Sequence, residues 1–408
     1  MSGLGADILY NPMHASYAAD PYPALHRLRA AEPVHFSPLL KVWVLTRYAD
    51  VVAALRAPEL SAAARNWAGY ERFFLRPSIE QNVLDQMYQR WMLQLDAPDH
   101  TRLRALTGRA FTPRAVQQMR QTIADVADAM LDRAGADGRL DVVRDFSFPL
   151  PVTIISKMLG VPAEDDARVL DWSTKLLPSF SPAMSLATLK AVNTALTEFR
   201  AYFAELVERR RREPTDDLLS DLIAARDNED KLSDEELFAT SILLTFAGHA
   251  STAQAIANVV ATVATRPDVW AALRANPQWV PAAVEESLRH ESPLQLIYRT
   301  TLAPYAVGGQ TIPKGEMVFL ILPAANRDPA RFSDPDRFDM HRADNKHVAF
   351  GYGGHFCAGA GLARLETQVA IERLLARFNA VELDGPVPKR ESSLLLRGLE
   401  SLPVRLRA

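Results

Sequence analysis

The sequence predicts a mainly α-helical protein with small β-sheets, and three observations lead to this prediction. Most of the 408 residues show the apolar spacing of amphipathic or buried helices. Strand-like patterns are confined to Val42–Leu45 and to residues 305–322. One uninterrupted helical pattern extends from Asp234 to Thr265, far longer than the average helix of a globular protein.

Two short segments have the residue types of strands. Residues 42–45 read Val-Trp-Val-Leu, a run of β-branched and aromatic types that favours a strand. Residues 305–322 contain two apolar runs separated by Pro313-Lys314-Gly315, whose backbone preferences suit a turn. The pattern therefore predicts a hairpin in which these two runs pair across residues 313–315.

The long helical pattern has clear signals at both ends. Ser233 and Glu236 form a capping-box sequence at its start, and Pro267 follows its last residue. Its middle, residues 243–252, is apolar or small on nearly every face, which predicts a helix buried through the molecule. A glycine, a serine and a threonine are weak helix formers at this point. They indicate either a bulky group lying against the helix or close helix–helix packing.

Charge and composition exclude several classes of function. Lys and Arg total 46 against 49 Asp and Glu, so the net charge is −3, whereas nucleic-acid-binding proteins are normally basic. No apolar run approaches the roughly 18 residues of a membrane span, and no secretory signal is visible at the start. We therefore expect a cytoplasmic protein that binds neither nucleic acid nor membrane. Length alone suggests two or three domains, at about 150 residues each.

Cys357 is the only cysteine of the chain, which excludes an internal disulfide, a zinc–thiolate cluster and an iron–sulfur cluster. Three roles remain: a buried apolar residue, a nucleophile, or a single thiolate ligand. His355 is too close in sequence to act convincingly as the base of a cysteine nucleophile. The cysteine follows a glycine-rich loop and precedes an amphipathic helical pattern that runs to about Phe378. A helix N-terminus favours a thiolate, and glycines let the backbone approach a flat or bulky group, so the ligand role is favoured.

Residues 350–359 read Phe-Gly-Tyr-Gly-Gly-His-Phe-Cys-Ala-Gly and resemble the haem-binding signature of the cytochrome P450 superfamily. Other segments resemble this family in the same order along nearly the whole chain: Asp20-Pro21-Tyr22-Pro23, His100-x-x-x-Arg104, Ala247-Gly248-His249-x-Ser251-Thr252, Glu286-x-x-Arg289, Pro335-Asp336-Arg337-Phe338 and Arg397-Gly398-Leu399. The resemblance is to soluble bacterial members. It implies a cytochrome P450-like single-domain fold over residues 1–408, without a fused reductase domain. It also implies that the protein is a monomer.

The resemblance also assigns cofactor and network residues. It implies haem b with Cys357 as the axial thiolate ligand of iron. The residues implied to hold the haem are His100, Arg104, Arg299, His355, Phe350, Gly351, Gly359 and Ala247, of which the two arginines and two histidines serve the propionates. Glu286, Arg289 and Arg337 would form a buried charge network, since the first two lie on one helix face.

The implied function is a haem-thiolate monooxygenase. It would insert one oxygen atom from O2 into a hydrophobic small molecule, either a secondary metabolite or a xenobiotic. Electrons would come from a separate ferredoxin and an NAD(P)H-dependent ferredoxin reductase, with Arg102, Arg109 and Arg364 as residues that could bind an acidic ferredoxin. Residues 61–93 are expected to form one aromatic-rich pocket wall. The individual substrate-contact candidates are Phe74, Leu244, Leu294, Ile297 and Leu395.

The central helix departs from the family pattern at one position. Family members usually carry an acid followed by an alcohol, and here these positions are Ala250 and Ser251, after Gly248. We expect Ser251 to donate a hydrogen bond to bound oxygen, with Thr252 as a second candidate. Alanine cannot relay a proton, so a water chain or a substrate hydroxyl would replace the acid. A peroxide-driven or oxidative-coupling enzyme is the alternative on the same fold, and a non-catalytic haem sensor is the alternative outside the class.

Overall fold

The structure is a computed structural model that describes residues 10–71, 83–133, 137–180, 184–226, 232–386, 389–390 and 394–407. Its residues cluster into two units, which are described separately. The first unit comprises the described residues of 1–73, 285–357 and 389–398, and the second those of 74–284, 358–388 and 399–408. The single catalytic domain expected from the resemblance stays a prediction.

Helices predominate in the described residues, as the sequence predicts. The α-helices are Ala15–Ala19, Tyr22–Ala31, Tyr48–Ala54, Val83–Tyr88, Asp99–Gly108, Pro113–Gln118, Arg120–Leu131, Pro149–Met158, Asp166–Leu176, Leu186–Arg212, Leu218–Arg226, Asp234–Thr265, Pro267–Ala275, Val280–His290, Leu322–Asn326 and Ala360–Arg377. Short 3-10 segments lie at Ala64–Asn66, Met92–Gln94, Ala163–Asp165, Leu177–Phe180, Pro277–Trp279 and Gly353–His355, and a π-helical turn lies at Val143–Ser147. In this part of the chain no helix is long and apolar enough to cross a membrane.

The strands are β1 Val34–Ser37, β2 Val42–Leu45, β3 Leu60–Ser61, β4 Arg139–Asp141, β5 Leu296–Thr301, β6 Tyr305–Val307, β7 Gln310–Ile312, β8 Met317–Ile321, β9 Ala380–Leu383 and β10 Pro403–Arg407. They form a five-stranded sheet in the order β1-β2-β8-β5-β3, a three-stranded sheet β4-β10-β9 and a two-stranded sheet β6-β7. In the five-stranded sheet β2 and β8 run parallel, and the other pairs are antiparallel. The small sheets of the prediction are therefore confirmed.

The predicted hairpin within residues 305–322 has the wrong turn and the wrong partner. β6 pairs with β7 across Gly308 and Gly309, both at positive φ (57° and 78°). A two-residue turn of this kind matches the twist of a hairpin, and glycine adopts it without steric cost. Pro313-Lys314-Gly315 instead lead into β8, which pairs with β2 and β5. Sequence spacing cannot reveal this, because β8 finds its partners far away in the chain.

The five-stranded sheet of the first unit has a hydrophobic cluster on each face. Its registers align Val44 with Phe319 and Leu45 with Leu320. Because successive side chains point to opposite faces, these two pairs lie on opposite sides of the sheet. Accordingly, Val44 and Phe319 belong to one cluster of buried residues, and Leu45 and Leu320 belong to the other.

The long helix of the second unit spans Asp234–Thr265, as predicted. The Ser233 hydroxyl accepts from the Glu236 N–H, and the Glu236 carboxylate accepts from the Ser233 N–H, so the predicted capping box is present. Nearly all of residues 237–260 are buried, which confirms a helix without a polar face. The last predicted helix is also present, at Ala360–Arg377, with Phe378 as its C-cap.

Candidate active site

Backbone hydrogen bonds close the loop that ends at Cys357, within the first unit. The Gly351 N–H donates to the Val348 carbonyl at 2.9 Å, and the Cys357 N–H donates to the Phe350 carbonyl at 2.9 Å. The 3-10 turn Gly353–His355 lies between these bonds. Together they hold the backbone that carries the thiol, and the Cys357 side chain is exposed. A thiol presented on a held loop suits a ligand better than a core-filling role.

Two loop glycines adopt conformations that side chains rarely allow. Gly351 has φ +70° and Gly353 has φ +74°. An added Cβ on Gly351 would lie 3.1 Å from Ile297 Cδ1, and one on Gly353 would lie 2.9 Å from the Leu55 carbonyl oxygen. Glycine is therefore required at both positions by the left-handed backbone and by close packing against the protein itself.

Strand β5 presents two predicted site residues on one face of its sheet. Ile297 pairs with Leu320, and Arg299 pairs with Val318, so strand alternation places these side chains on the same face. Gly351 approaches this face at Ile297. Arg299 is buried although it is a cation. The sheet therefore brings a buried guanidinium and the cysteine loop to the same part of the first unit, while His355 is partly exposed in its 3-10 turn.

The other apolar candidates of this unit belong to different clusters. Leu294 and Ile297 pack against the cluster that contains Val348. Leu395 packs against the cluster that contains Phe319, which lies on the opposite sheet face. By their packing, Leu294 and Ile297 are grouped with the cysteine loop, and Leu395 is grouped with the other side of the sheet.

Glu286 and Arg289 form a fully buried ion pair, as predicted. Arg289 Nη2 donates to Glu286 Oε1 at 2.7 Å, and Arg289 Nε donates to Glu286 Oε2 at 2.8 Å. The predicted third member is wrong. Arg337 is exposed and contributes only its carbonyl oxygen, which accepts from Arg289 Nη2 at 3.1 Å. Arg342 supplies the second guanidinium, with Nε 3.2 Å from Glu286 Oε2.

The reason is the path of the chain after Arg337. The Asp339 N–H donates to Glu286 Oε1 at 2.8 Å, so the backbone itself passes beside the buried carboxylate. Arg342 follows three residues later and is the side chain directed at Glu286. Motif spacing alone does not distinguish two arginines that lie five positions apart in an irregular segment.

In the second unit, the long helix carries one accessible stripe in its buried middle. Ala247 is exposed, Gly248 and Ser251 are partly exposed, and Leu244, one turn earlier, is buried in the hydrophobic core at 7% exposure. These residues lie three or four positions apart and therefore share one face of the helix. An added Cβ on Gly248 would reach only ordinary contact with Ile155, 3.5 Å away, so the glycine is not required by packing there.

The predicted distal residues differ in their exposure. Ala250 and Thr252 are each 4% exposed, whereas Ser251 belongs to the accessible stripe. The Thr252 hydroxyl donates to the Gly248 carbonyl at 3.2 Å, which uses its proton within the helix. Ser251 is therefore the better placed donor of the two alcohols, in line with the sequence-based preference.

Two titratable groups are buried in the second unit. Burial lowers the pKa of His249 to about 4, although the Thr245 carbonyl, 3.2 Å from its Nδ1, opposes this. His249 also packs edge-on against Phe148, so it is part of the interior of this unit. Burial raises the pKa of the Glu366 carboxyl well above its ordinary value.

The remaining cofactor candidates of the second unit lie on two helices. His100 is buried and Arg104 partly exposed on Asp99–Gly108, one turn apart on the same face. Gly359 is the N-cap of Ala360–Arg377, two residues after Cys357 in sequence. The structure therefore confirms helices at both places, and the haem contacts of these residues remain predictions.

The predicted aromatic pocket wall is only partly described. Phe74 lies outside the described residues. Tyr88 and Trp91 are 2% and 0% exposed, and Trp91 stacks on Phe246 with ring centres 6.1 Å apart. Both belong to a large cluster of buried residues, so they serve the hydrophobic core of the second unit.

Sequence reasoning missed a second buried ion cluster five residues after Glu286. Glu291 lies 3.3, 3.1 and 3.2 Å from three guanidinium groups, those of Arg327, Arg390 and Arg397. Burial opposes ionisation, but the three arginines outweigh it and lower the pKa of Glu291. Arg397 also donates to the carbonyls of Ala18 and Ala19 at 2.5 and 2.9 Å. Arg397 lies in one of the family-like segments, but no motif predicts the cluster itself, because its members come from distant parts of the chain.

The residue types present fit the haem that the resemblance implies. The first unit offers one thiol on a loop held by its own backbone and a buried guanidinium on the sheet face that Gly351 approaches. A guanidinium is a residue type that suits a haem propionate, because arginine forms charge-assisted hydrogen bonds with carboxylates. In the described residues no group of three or more His, Cys, Asp and Glu side chains could hold a metal ion. Cys357 is a type of residue that ligates haem iron singly, as a thiolate.

Comparison with known proteins agrees with this chemistry. The cytochrome P450 family model matches residues 35–403. The chain is 42% identical to cytochrome P450 107B1 of Saccharopolyspora erythraea, over 90% of this chain and 89% of that one. It is also 42% identical to the vitamin D(3) 25-hydroxylase of Pseudonocardia autotrophica, over 95% of this chain and 94% of that one.

A solved structure is similar over almost its full length. P450BioI, in complex with an acyl carrier protein ligated to hexadec-9Z-enoic acid, is 35% identical, with a TM-score of 0.89, and the match covers 96% of this chain and 99% of that one. Fold, signature residues and relatives all point to one family. The chain therefore belongs to the cytochrome P450 family, as a haem-thiolate monooxygenase in which Cys357, its single cysteine, is the axial ligand of iron.

Proposed function

We propose that this enzyme inserts one oxygen atom from O2 into a hydrophobic small molecule, a secondary metabolite or a xenobiotic. The observation that carries the proposal is the accessible stripe of Ala247, Gly248 and Ser251, a small-residue surface with one hydroxyl. Such a surface suits a largely apolar ligand and offers one hydrogen bond. Two of the named relatives act on or bind hydrophobic molecules, one on vitamin D(3) and the other a fatty acyl chain on its carrier protein. The enzyme would work as a cytoplasmic monomer.

The side chains of this protein have distinct tasks in that reaction. When bound, the haem supplies an iron at which O2 is activated, with electron density pushed from the thiolate. Cys357 provides the thiolate from a loop held by the Phe350 carbonyl. Arg299, His100 and Arg104 would bind the propionate carboxylates by charge-assisted hydrogen bonds. Phe350, Gly351, Ala247 and Gly359 would contact the porphyrin.

Proton delivery rests on fewer groups than in most members of the family. The Ser251 hydroxyl would donate a hydrogen bond to the O2 that reacts, because its side chain is on the accessible stripe. Ala250 carries no acid to pass the next proton, so water or a hydroxyl of the substrate supplies it. Installing an acid tests this idea: Ala250→Glu should change the ratio of product formed to NADPH consumed. An unchanged ratio would remove position 250 from the proton route.

Turnover is the direct test of the proposed activity. The purified protein with haem, a ferredoxin, its reductase and NADPH should oxidise a ligand that was first found by its shift of the haem spin state. The reduced, carbonyl-bound protein should show a strongly red-shifted absorption band that Cys357→Ala abolishes. Absence of turnover with every ligand that shifts the spin state would favour a non-catalytic haem sensor.

The electron donor is proposed to be a separate ferredoxin that binds basic residues of the second unit. Arg109 is exposed and Arg364 partly exposed. Arg102, a third candidate from the sequence, is instead engaged with Glu236 and lies 3.5 Å from Asp99. Arg109→Glu with Arg364→Glu should slow reduction by ferredoxin and weaken its salt dependence. Arg102→Gln is the matched control and should leave the reduction rate unchanged.

The second candidate function is peroxide-driven oxidation or oxidative coupling on the same fold. The observation in its favour is Ala250, since these reactions need less proton delivery from the protein. Hydrogen peroxide alone should then support turnover as fast as the complete electron-transfer system does. Slower turnover with peroxide at saturating concentration would return the assignment to the monooxygenase.

A further inference from the structure

The segment that leads into the cysteine loop has no regular secondary structure. Residues 344–352 are neither helix nor strand, so their backbone groups need other partners. Side chains supply two of them. The Val348 N–H donates to Asn326 Oδ1 at 2.8 Å, and the Ala349 N–H donates to His347 Nδ1 at 3.2 Å. His347 Nε2 in turn lies 3.1 Å from Glu285 Oε2.

Asn326 is the buried member of this set. It is 0% exposed at the end of the short helix Leu322–Asn326, and both ends of its side-chain amide are engaged. Oδ1 accepts from Val348, and Nδ2 donates to the Ser292 hydroxyl at 2.8 Å. The Ser292 hydroxyl gives its own proton to the Leu288 carbonyl at 2.9 Å. These partners leave one orientation of the amide, with its oxygen towards the loop.

The backbone of Asn326 meets the buried ion pair. Its carbonyl accepts from Arg289 Nη1 at 2.9 Å, and Arg289 holds Glu286 through two hydrogen bonds. One residue therefore contacts the charge network through its carbonyl and the loop through its side chain. The guanidinium fixes the backbone, and the backbone fixes where the side-chain oxygen lies.

The hydrogen bonds continue from Val348 to the cysteine. The Val348 carbonyl accepts from Gly351, and the Phe350 carbonyl accepts from Cys357, each at 2.9 Å. Val348 is itself 0% exposed. A change in the position of its N–H would therefore be passed on to the backbone that carries the sulfur.

We propose that Asn326 is a positioning residue for Cys357: its side-chain amide transfers the geometry of the buried Glu286–Arg289 pair to the cysteine loop and so sets the position of the thiolate. The inference rests on thiolate ligation by Cys357 and is independent of the proposed substrate and redox partner. Its readouts are backbone protection and the ligand spectrum, so a failure of the proposed turnover leaves them interpretable.

The test compares Asn326→Ala with Asn326→Asp. Alanine removes the acceptor of the Val348 N–H, so hydrogen exchange of that amide should become roughly tenfold faster. Part of the red-shifted band of the reduced, carbonyl-bound holoprotein should move to the shorter wavelength of haem without a thiolate ligand. Aspartate retains an oxygen at the Oδ1 position, and the Ser292 hydroxyl can turn its proton from the Leu288 carbonyl to the second carboxylate oxygen. This variant should therefore keep both the protection of the Val348 amide and the band. Asn326→Ser gives the same comparison if the alanine variant does not fold.

Ser292→Ala is the matched control, because it removes the other partner of the same amide. It should lower the midpoint of denaturant unfolding by an amount similar to Asn326→Ala while leaving the band unchanged. If both variants lose the band to the same degree at equal loss of stability, Asn326 acts only as part of the core and the proposal is overturned. Unchanged exchange of the Val348 amide in Asn326→Ala would overturn it as well.

Discussion

The central helix and the cysteine loop reach their structures in opposite ways. Helix Asp234–Thr265 begins at a capping box and continues through hydrogen bonds between residues four apart. The loop from Val348 to Cys357 instead relies on residues elsewhere in the chain, among them Asn326 and Ile297. The comparison shows that the helix is specified locally, whereas the position of the thiolate depends on long-range contacts. Substitutions should therefore affect the two regions through different mechanisms.

The largest expected effect is on the loop side, at the buried ion pair. Arg289→Ala removes the guanidinium that pairs with the Glu286 carboxylate, and the carboxylate then stays buried with one positive charge fewer beside it. This should lower the free energy of unfolding by about 3–5 kcal/mol. The Arg120–Glu372 pair, with side chains 40% and 32% exposed, provides the control. Arg120→Ala should lower the free energy of unfolding by less than about 1 kcal/mol, because solvent screens the charges of an exposed pair. Denaturant unfolding measures both. Equal losses would contradict a special role of the buried network.

The next effect is a pH dependence that arises on the helix side. The pKa of His249 is about 4 in the folded protein and near 6.5 when unfolded, so the folded state binds fewer protons between these values. Stability should therefore fall as the pH is lowered from about 6.5 to about 4, by about 3 kcal/mol from this group. His249→Gln should flatten that part of the profile measured by unfolding at a series of pH values. An identical slope in the variant would show that other groups cause the acid sensitivity.

A smaller effect is expected at the left-handed glycine of the loop. Gly351→Ala places a Cβ at φ +70° and 3.1 Å from Ile297 Cδ1. The left-handed backbone conformation alone should lower the free energy of unfolding of this variant by about 1–2 kcal/mol. Because the strain falls on the cysteine loop, the carbonyl-bound spectrum should also change. Gly354→Ala is the control, since an added Cβ there meets no described atom within 4 Å. A spectrum altered equally by both variants would mean that the loop tolerates no side chain at all.

The smallest expected effect is at the N-cap of the long helix. Ser233→Ala removes the hydroxyl that accepts from the Glu236 N–H. This should lower the free energy of unfolding by about 1 kcal/mol. The loss should appear as a lower unfolding midpoint with an unchanged carbonyl-bound spectrum, since the cap acts only on its own helix. A spectral change from this variant would contradict the separation of local and long-range control.

The Glu286 network shows where prediction from sequence stops. Glu286 and Arg289 are three positions apart on one helix, so their pairing follows from helix geometry. The second guanidinium comes from an irregular segment, where the motif suggested Arg337 and the structure uses Arg342. The hairpin error has the same origin. Gly308 and Gly309 form a turn that local signals could have revealed, but the pairing of β8 with β2 and β5 depends on distant residues.

The candidate site divides along the same line. Cys357, the glycine-rich loop and the departure at Ala250 can be read directly from the residues, since they are properties of one continuous segment each. Asn326 could not be found in this way, because a lone asparagine has no pattern. The ion cluster around Glu291 could not be predicted either, because its three arginine partners come from separate segments of the chain.

Sequence patterns alone predicted the helical class and the bounds of the long helix, and the resemblance to the cytochrome P450 family added the thiolate role of Cys357 and the missing acid at position 250. Helix caps, apolar periodicity and residue chemistry depend on a few neighbouring positions, so they can be recognised in the sequence without knowledge of the fold. The folded structure was needed to show that Arg342 completes the buried network, that Glu291 collects three arginines, and that Asn326 accepts from the Val348 N–H in the segment that leads to Cys357. These outcomes depend on buried polar groups finding partners, and a buried group takes whichever partner the folded chain brings within hydrogen-bond distance.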